Sequence, residues 1–252
     1  MIHGGPGVSG EMVPIARELS SDFGILEPLQ TQDTIEGQIQ ELHNTLISFG
    51  DLPVTLIGHS WGAWLSYIFA SRYGNVIKKL ILISSGSFEE KYSSGLMDTR
   101  VNRLSEEKRI YFNELVRELN NPTTKNRNTI FSKLGKIISL ADTYKLLHKD
   151  IVKLDCNYEI YQSVWSEASK LRQKGELLKI GKQIQCSVLA IHGEYDPHLS
   201  EGVEKPLSQV INNFRFILLK KCGHEPWNEE HAKDEFYKIL KSELKNNLEN
   251  KL

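Results

Sequence analysis

The chain has 252 residues, of which 40% are hydrophobic and 25% charged, a composition typical of globular proteins and not of disordered or fibrous ones. Its 31 Lys and Arg residues are balanced by 32 Asp and Glu residues, which gives a formal net charge of -1. A balanced charge argues against nucleic acid or an anionic membrane as a partner, because both attract a basic surface. We therefore expect a small molecule or a short peptide as the substrate.

Features that the sequence lacks indicate where in the cell the protein is expected and whether a metal site is expected. The longest aliphatic run, 80–83, is far shorter than the ~20 apolar residues of a transmembrane helix. The glycine-rich segment that starts at His3 leaves no room for a signal peptide, so we expect a cytoplasmic protein. Because Cys156, Cys186 and Cys222 form no Cys-x-x-Cys pair, we predict no disulfide framework and no metal site, and no organic cofactor is implied.

Residues 9–84 alternate helical patterns with short apolar runs, as in proteins whose helices cover a parallel sheet. Runs 54–57 and 79–83 lack polar alternation, which predicts strands that are covered on both faces. A further short strand is predicted at 24–29. The predicted helices of this part are 9–21, 34–49 and 61–73.

Residues 87–181 show no buried-strand pattern and are predicted to be an inserted helical lid. The helices predicted in it are 106–119, 128–147 and 158–173. The elements predicted after it are strands at 187–191 and 214–219, a helix at 228–244 and a frayed tail at 245–252. The lid thus interrupts a core that consists of residues 1–86 and 182–252.

The sequence Gly58-His59-Ser60-Trp61-Gly62 has the pattern Gly-x-Ser-x-Gly at the junction of a predicted strand and a predicted helix. A serine on such a sharp turn projects its hydroxyl above the sheet edge, and the two glycines permit the close backbone approach that the turn requires. We predict Ser60 as a nucleophile. The alternative is an ordinary turn in which Ser60 caps the helix.

A nucleophilic serine needs a histidine base and a carboxylate that orients the base, and both are expected beyond later strands. His224 follows the last predicted strand, and Asp196 follows the strand before it. Their order in the chain, Ser60, Asp196 and His224, is the order expected with this serine motif. Glu194 is an alternative acid, while His192, at a strand end, is predicted to be structural.

The tetrahedral intermediate of acyl transfer needs two backbone amides that stabilise its oxyanion. One is expected from Trp61, which follows the candidate nucleophile. The other is expected from the loop His3-Gly4-Gly5-Pro6-Gly7, with Gly5 as the first choice and Gly4 as the second, because glycines permit a tight turn. His3 is predicted to brace this loop. The alternative is a glycine-rich turn that only leads into the next helix.

These motifs resemble those of the α/β-hydrolase superfamily, and with the helical lid they cover nearly the whole chain. The segments that carry the resemblance are 3–7, 58–62, 192–196 and 223–224. The resemblance implies an α/β-hydrolase fold with a mostly parallel sheet. The loop at 3–7 and the serine motif with Trp61 are similar to those of the proline iminopeptidase branch, whose members release N-terminal proline.

The resemblance also implies that the lid selects the substrate. An aminopeptidase needs carboxylates there to bind the substrate ammonium group. The carboxylates available are those of Glu89, Glu90, Glu159 and Glu167. Each of them also fits a solvated helix face. Aromatic side chains at helical spacing fit either packing within the lid or the wall of a pocket. They are Tyr158, Tyr161 and Trp165.

The predicted function is hydrolysis of a small carboxylic ester or amide through an acyl-enzyme. One alternative is an aminopeptidase of the proline iminopeptidase type, and another is a hydrolase-like binding protein with little or no turnover. A C–C bond hydrolase or an acyltransferase could use the same residues. A homo-oligomer is also compatible with the sequence.

The start of the chain leads to one further expectation. In the superfamily a hairpin and a third strand precede the oxyanion loop, whereas Met1 and Ile2 alone precede it here. We therefore expect a sheet that lacks the usual N-terminal strands, which correspond to about 20 to 30 residues. Either the chain boundary is displaced or the sheet pairs unusually, for instance with a second copy.

Overall fold

The computed structural model describes residues 1–147 and 155–249 of the chain. The β-strands are β1 (Val8–Ser9), β2 (Val54–His59), β3 (Ile77–Ile83), β4 (Asp155–Cys156), β5 (Ser187–Gly193) and β6 (Phe214–Leu219). The α-helices are α1 (Val13–Leu19), α2 (Ile35–Phe49), α3 (Trp61–Arg72), α4 (Leu96–Arg103), α5 (Glu106–Asn120), α6 (Arg127–Asp142), α7 (Tyr158–Gln173), α8 (Glu176–Lys179), α9 (Glu201–Val210) and α10 (Lys233–Glu249).

The centre of the molecule is a parallel sheet which, in the described residues, has the strand order β2-β3-β5-β6. β3 and β5 are central and almost wholly buried, in agreement with their continuous apolar sequences. Beside β2, the N–H of Ile2 donates to the carbonyl of Ile57 (2.7 Å), and the N–H of His59 donates to the carbonyl of Ile2 (3.1 Å). The predicted, mostly parallel sheet is confirmed.

Helices cover both faces of this sheet. α2, α3 and α9 pack in one apolar cluster, whereas α1 and α10 pack in another. α3 is buried on all sides, with Trp64, Tyr67 and Phe69 fully enclosed, because Val164 of α7 and Leu177 of α8 pack in the same cluster. Among the described residues, no helix combines the length and the apolar character needed to cross a membrane.

The described part of the segment between β3 and β5 contains helices, their connections and one two-residue strand. The helices are α4 to α8, and we call residues 87–181 the helical insert. An apolar cluster of its own holds α5 and α6 together. The strand β4 was not predicted; it pairs antiparallel with β1 so that Cys156 lies opposite Val8. This short ladder ties the helical insert to the glycine-rich loop at 3–7.

Two predictions near the start of the chain are wrong in detail. The segment 24–29 forms no regular strand, although the carbonyl of Leu26 accepts a hydrogen bond from the Met1 amino group (2.5 Å). The helix predicted at 9–21 is shorter, because Ser9 belongs to β1 and the helix begins only at Val13. Local apolar patterns indicated the helix but could not set its bounds, and they wrongly indicated a strand at 24–29.

Later helix bounds also differ from the prediction. The helix predicted at 128–147 ends at Asp142, and the helix predicted at 228–244 begins only at Lys233. The latter continues to Glu249, so the predicted fraying at 245–249 is wrong, while 250–252 lie outside the described residues. α4, α8 and α9 were not predicted.

Candidate active site

The chain turns sharply at Ser60, between the end of β2 and the start of α3. Ser60 has φ 52° and ψ −115°, a conformation that residues with a side chain rarely adopt. Its N–H donates to the carbonyl of Ile83 at the end of β3 (3.0 Å). The turn thus holds a half-buried serine at the carboxyl edge of the sheet.

The two glycines of the serine motif are required by close backbone packing. A Cβ on Gly58 would lie 2.1 Å from the carbonyl oxygen of Gly62. A Cβ on Gly62 would lie 2.3 Å from the carbonyl oxygen of Ile2 and 2.5 Å from that of His3. Strand, helix and the first residues of the chain therefore meet backbone to backbone next to Ser60.

The loops that follow β5 and β6 bring Asp196 and His224 together. Nδ1 of His224 donates to Oδ2 of Asp196 (2.7 Å), and Oδ1 of Asp196 accepts from the N–H of His198 (2.9 Å). Asp196 is buried, whereas 12% of the His224 side chain is exposed. The carboxylate therefore orients the imidazole and leaves its Nε2 edge facing away from Asp196.

Burial and charge have opposite effects on this pair. Burial by itself would raise the pKa of Asp196, but the positive charge of His224 and its hydrogen bond hold that pKa well below its ordinary value. Burial by itself would lower the pKa of His224, but the charge of Asp196 and its hydrogen bond raise that pKa to about 9. The pair therefore favours an ionised carboxylate next to a protonated imidazole.

His59, the residue before Ser60, lies against His224, and their ring centroids are 4.8 Å apart. Nε2 of His59 donates to the backbone carbonyl of His224 (3.0 Å), and the N–H of His224 donates to the carbonyl of Asp142 at the end of α6 (2.9 Å). In residues 1–147 and 155–249, no hydrogen bond joins Oγ of Ser60 to the His224 ring. Catalytic hydrogen bonds are often long in the absence of substrate.

The glycine-rich loop folds back close to the serine turn. Gly5 and Gly7 have φ values of 51° and 68°, and the N–H of Val8 donates to the carbonyl of Gly5 (2.8 Å). The N–H of Gly4 donates to Oε1 of Glu11 (3.0 Å), which removes Gly4 as an oxyanion donor. Within the described part of the chain, the amides of Gly5 and Trp61 make no hydrogen bond.

His3 braces the loop as the sequence predicts, together with a glutamine that the sequence did not single out. The N–H of Gln30 donates to Nε2 of His3 (3.2 Å), so that Nδ1 of His3 carries the proton and donates to the carbonyl of Gly4 (2.9 Å). The side-chain amide of Gln30 donates to the carbonyl of His3 (3.0 Å) and accepts from the indole of Trp61 (2.8 Å). These bonds connect the loop to the start of α3.

The competing acid and histidine are engaged elsewhere. Glu194 is exposed and pairs with Lys220 (2.6 Å). His192 is buried, and its Nε2 donates to the carbonyl of His198 (2.8 Å). Asp196 is therefore the carboxylate that fits the position beside His224 best.

A charged cluster from the helical insert lies next to Asp196 and was missed by sequence analysis. Arg100 of α4 donates to Asp142 of α6 through Nε (2.8 Å) and Nη2 (2.6 Å), and its Nη2 lies 3.4 Å from Nε2 of His198. No local pattern marks this pair, because the two residues are 42 positions apart.

Three side chains that can bind metals also meet at this position. Ligand atoms of Asp196, His198 and His224 lie within 4.8 Å of one another. Both oxygens of Asp196 accept hydrogen bonds inside the cluster, and the guanidinium of Arg100 faces His198. Because the guanidinium would repel a cation, the geometry suits a hydrogen-bonded acid and base better than a metal centre.

Most of the carboxylates considered for an ammonium site have partners already. The pairs are Glu89 with Lys91 (3.0 Å), Glu90 with Arg172 (2.8 Å) and Glu167 with the N–H of Ile35 (3.0 Å). Glu159 is exposed. These contacts connect the helical insert to itself and to the core, and they do not favour the binding of a substrate cation.

Aromatic rings form a column between the core and the helical insert. Trp165 of α7 stacks on Trp64 of α3 with centroids 5.6 Å apart, and Tyr161 stacks on Trp165 at 6.3 Å. Tyr158 packs against Phe131 of α6 (5.6 Å), and so does Tyr161 (4.5 Å). Tyr158 therefore belongs to the packing of the insert, Trp165 contacts the core, and Tyr161 connects the two.

Comparison with known proteins identifies the fold. The sequence profile of a family described as alpha/beta hydrolase fold matches residues 31–229. No curated protein matches the sequence.

Solved structures share the architecture at low sequence identity. An alpha/beta fold family hydrolase from Bacillus anthracis str. Sterne is 12% identical with a TM-score of 0.69, over 96% of this chain and 90% of that one. A putative lipase from Acinetobacter baumannii AYE is 17% identical with a TM-score of 0.63, over 97% and 83%. Proline iminopeptidase from Mycobacterium smegmatis is 17% identical with a TM-score of 0.61, over 97% and 88%. At these identities the likeness shows the fold alone.

The first prediction concerns the contact between Gly62 and the start of the chain. Gly62→Ala is expected to lower the free energy of unfolding by about 1 to 3 kcal/mol, because the new Cβ would overlap two carbonyl oxygens. Gly135→Ala in α6 is the matched control, since no atom lies within 4 Å of a Cβ at position 135. This variant should raise the free energy of unfolding by up to about 1 kcal/mol. Urea denaturation measures both, and equal stability of the two variants would contradict the close contact.

The second prediction concerns the strained turn. The conformation of Ser60 is the mirror image of an extended one, which glycine adopts without strain, and the side chain makes no capping hydrogen bond that would be lost. Ser60→Gly is therefore expected to be more stable than Ser60→Ala by about 1 kcal/mol in urea denaturation. The opposite order would mean that the turn relaxes and stores no strain.

Proposed function

Because its match to the profile extends over residues 31–229, the chain belongs to the family with the alpha/beta hydrolase fold, and we propose that it is a serine hydrolase. Its substrate is a small carboxylic ester or amide, and the reaction proceeds through an acyl-enzyme. The observation that carries the proposal is the hydrogen bond of 2.7 Å between His224 and Asp196 at the sheet edge where the strained turn presents Ser60.

Each of the three side chains has one role in the proposed reaction. Ser60 attacks the carbonyl carbon, and Nε2 of His224 accepts the serine proton and then donates it to the leaving group. Asp196 keeps the imidazole oriented and stabilises its charged form. Water then attacks the acyl-enzyme with His224 as the base, which releases the acid and restores Ser60.

The amides of Gly5 and Trp61 are the proposed oxyanion donors. Both are free of other hydrogen bonds in the described residues, and the hydrogen bonds of Gln30 to His3 and Trp61 connect the segments that carry them. Donors that are fixed in advance need no reorganisation when charge develops on the carbonyl oxygen. No metal or organic cofactor has a step in this mechanism.

The helical insert acts as the lid in this proposal. The aromatic column begins at Trp64, which is about one helical turn beyond Ser60, and continues through Trp165 and Tyr161 of the insert. We propose that the apolar acyl group of the substrate lies beside this column, because aromatic side chains supply flat apolar surface.

An aminopeptidase of the proline iminopeptidase type is the second candidate. The similarity of the loop at 3–7 and the shared fold with the Mycobacterium smegmatis enzyme favour it. Against it, Glu89, Glu90 and Glu167 have partners other than a substrate ammonium. We therefore prefer esters and simple amides to N-terminal proline.

The third prediction tests catalysis directly. A fluorophosphonate probe should react with Ser60, forming a P–O bond with loss of fluoride, and the labelled peptide should be identified by mass spectrometry. Ser60→Ala should abolish both labelling and the hydrolysis of short-chain nitrophenyl esters. Ser71→Ala, at the far end of the same helix, is the matched control and should keep both.

The outcomes separate the candidate functions. Absence of labelling and of hydrolysis in the native chain would support a binding protein without turnover and would overturn the proposal. A faster reaction with proline arylamide than with the esters would favour the aminopeptidase.

The fourth prediction follows from the raised pKa of His224. The base must be neutral to accept a proton, so kcat/KM should rise with pH through the pKa of about 9 and reach a plateau above it. Asp196→Asn should move this rise toward lower pH, because it removes the charge that raises the pKa of His224, and it should also reduce kcat by orders of magnitude. A pH profile that is flat through this range would contradict His224 as the base.

A further inference from the structure

Glu11 and His59 lie outside the proposed catalytic set and connect the three chain segments that carry that set. Oε1 of Glu11 accepts hydrogen bonds both from the N–H of Gly4 (3.0 Å) and from Nδ1 of His59. Nε2 of His59 donates in turn to the backbone carbonyl of His224 (3.0 Å). Gly4 precedes the proposed oxyanion donor Gly5, and His59 precedes Ser60, so one chain of hydrogen bonds reaches all three segments.

We infer that Glu11 and His59 form a positioning pair that fixes the oxyanion loop and the catalytic histidine relative to Ser60. The inference rests on the proposed function and deepens it, because it assigns work at the same site to two residues that touch no substrate. Such residues matter because displacement of a catalytic group by about 1 Å can lower a rate about a hundredfold.

The hydrogen bonds of the pair assign its donors and acceptors. Both nitrogens of His59 face oxygen atoms, one in the carboxylate of Glu11 and one in a backbone carbonyl, so His59 is the donor in both bonds. Burial would raise the pKa of Glu11, but the charge of His59 and its hydrogen bond lower that pKa to about 2.

Packing holds the pair in place. His59 is buried, and the rings of His59 and Trp227 meet nearly at right angles with centroids 4.8 Å apart. A Cβ on Gly4 would lie 2.6 Å from Oε1 of Glu11 and 2.9 Å from Nδ1 of His59, so the loop backbone rests directly on the ion pair. Movement of either side chain would therefore move the loop.

The pair also acts on the charge of His224. Titratable groups that interact with the pair include Glu225, whose pKa is raised by burial and by the charge of Glu11, and the buried His192. The carboxylate of Glu11 interacts favourably with protonated His224. Loss of that carboxylate should therefore lower the pKa of His224.

The fifth prediction uses two variants with different expected pH profiles. Glu11→Gln keeps the shape and an acceptor for Gly4 but loses the negative charge, so the rise of kcat/KM with pH should move to lower pH. His59→Gln retains the carboxylate of Glu11, so the same rise should not move to lower pH. In both variants kcat should fall about tenfold to a hundredfold while KM changes little, since positioning acts on the transition state.

Two further variants make the result specific. Glu11→Asp retains the charge, and its pH profile should stay close to that of the native chain. Glu243→Gln removes a buried carboxylate from an ion pair with Lys79 (2.5 Å) at the opposite end of β3, and it should lower thermal stability without altering kcat or the pH profile.

The outcomes distinguish this inference from the proposed function. If the native chain hydrolyses esters but Glu11→Gln and His59→Gln show native kcat, or shift the pH profile in the same direction, the positioning pair is refuted and the proposed function stands. If the native chain neither hydrolyses esters nor reacts with the fluorophosphonate probe, the proposed function itself fails. Should Glu11→Gln not fold, His59→Gln and Glu11→Asp still provide the kcat and the pH profile that decide.

Discussion

The close approach of three backbone segments at the carboxyl end of β2 is the constraint on which the rest of the site depends. Strand, helix and the residues around Ile2 come so near to one another that Gly58 and Gly62 have no room for a side chain. Ser60 lies between them, and the sharp turn of the chain at this residue requires its unfavourable φ of 52°. Strain of this kind persists because packing on every side determines the conformation.

Charge in this region is arranged in pairs that bridge distant parts of the chain. Arg100 binds Asp142, and Asp196 binds His224, so that each buried charge faces one of opposite sign. A buried charge without a partner would be costly, which explains why the groups occur in contact and not singly. The same pairing sets the ionisation of His224 and thereby the pH at which it can accept a proton.

Local sequence patterns were sufficient for part of this architecture. The buried strands and the positions of Ser60, Asp196 and His224 at strand ends could be predicted, because apolar runs and turn residues lie next to one another in the chain. Glu11 could not be found in this way, since its partner His59 is 48 positions away and a lone glutamate near a helix start indicates nothing by itself. The segment 24–29 has the composition of a strand but forms no regular strand. Strand pairing depends on the segments that lie beside it in the fold, and local composition does not reveal them.

The bond from the N–H of His224 to the carbonyl of Asp142 has a consequence for how this protein can diverge. α6 ends at that carbonyl, and Glu229 holds the residues that follow it through the N–H groups of Tyr144 and Lys145 (2.7 Å each). Replacement of the helical insert by another sequence would remove a support of the loop that carries His224 unless the junction at 142–145 were retained. The part of the insert that another sequence can replace is thus shorter than the insert itself. Recombination between relatives is expected to succeed only at boundaries that keep this junction with the core.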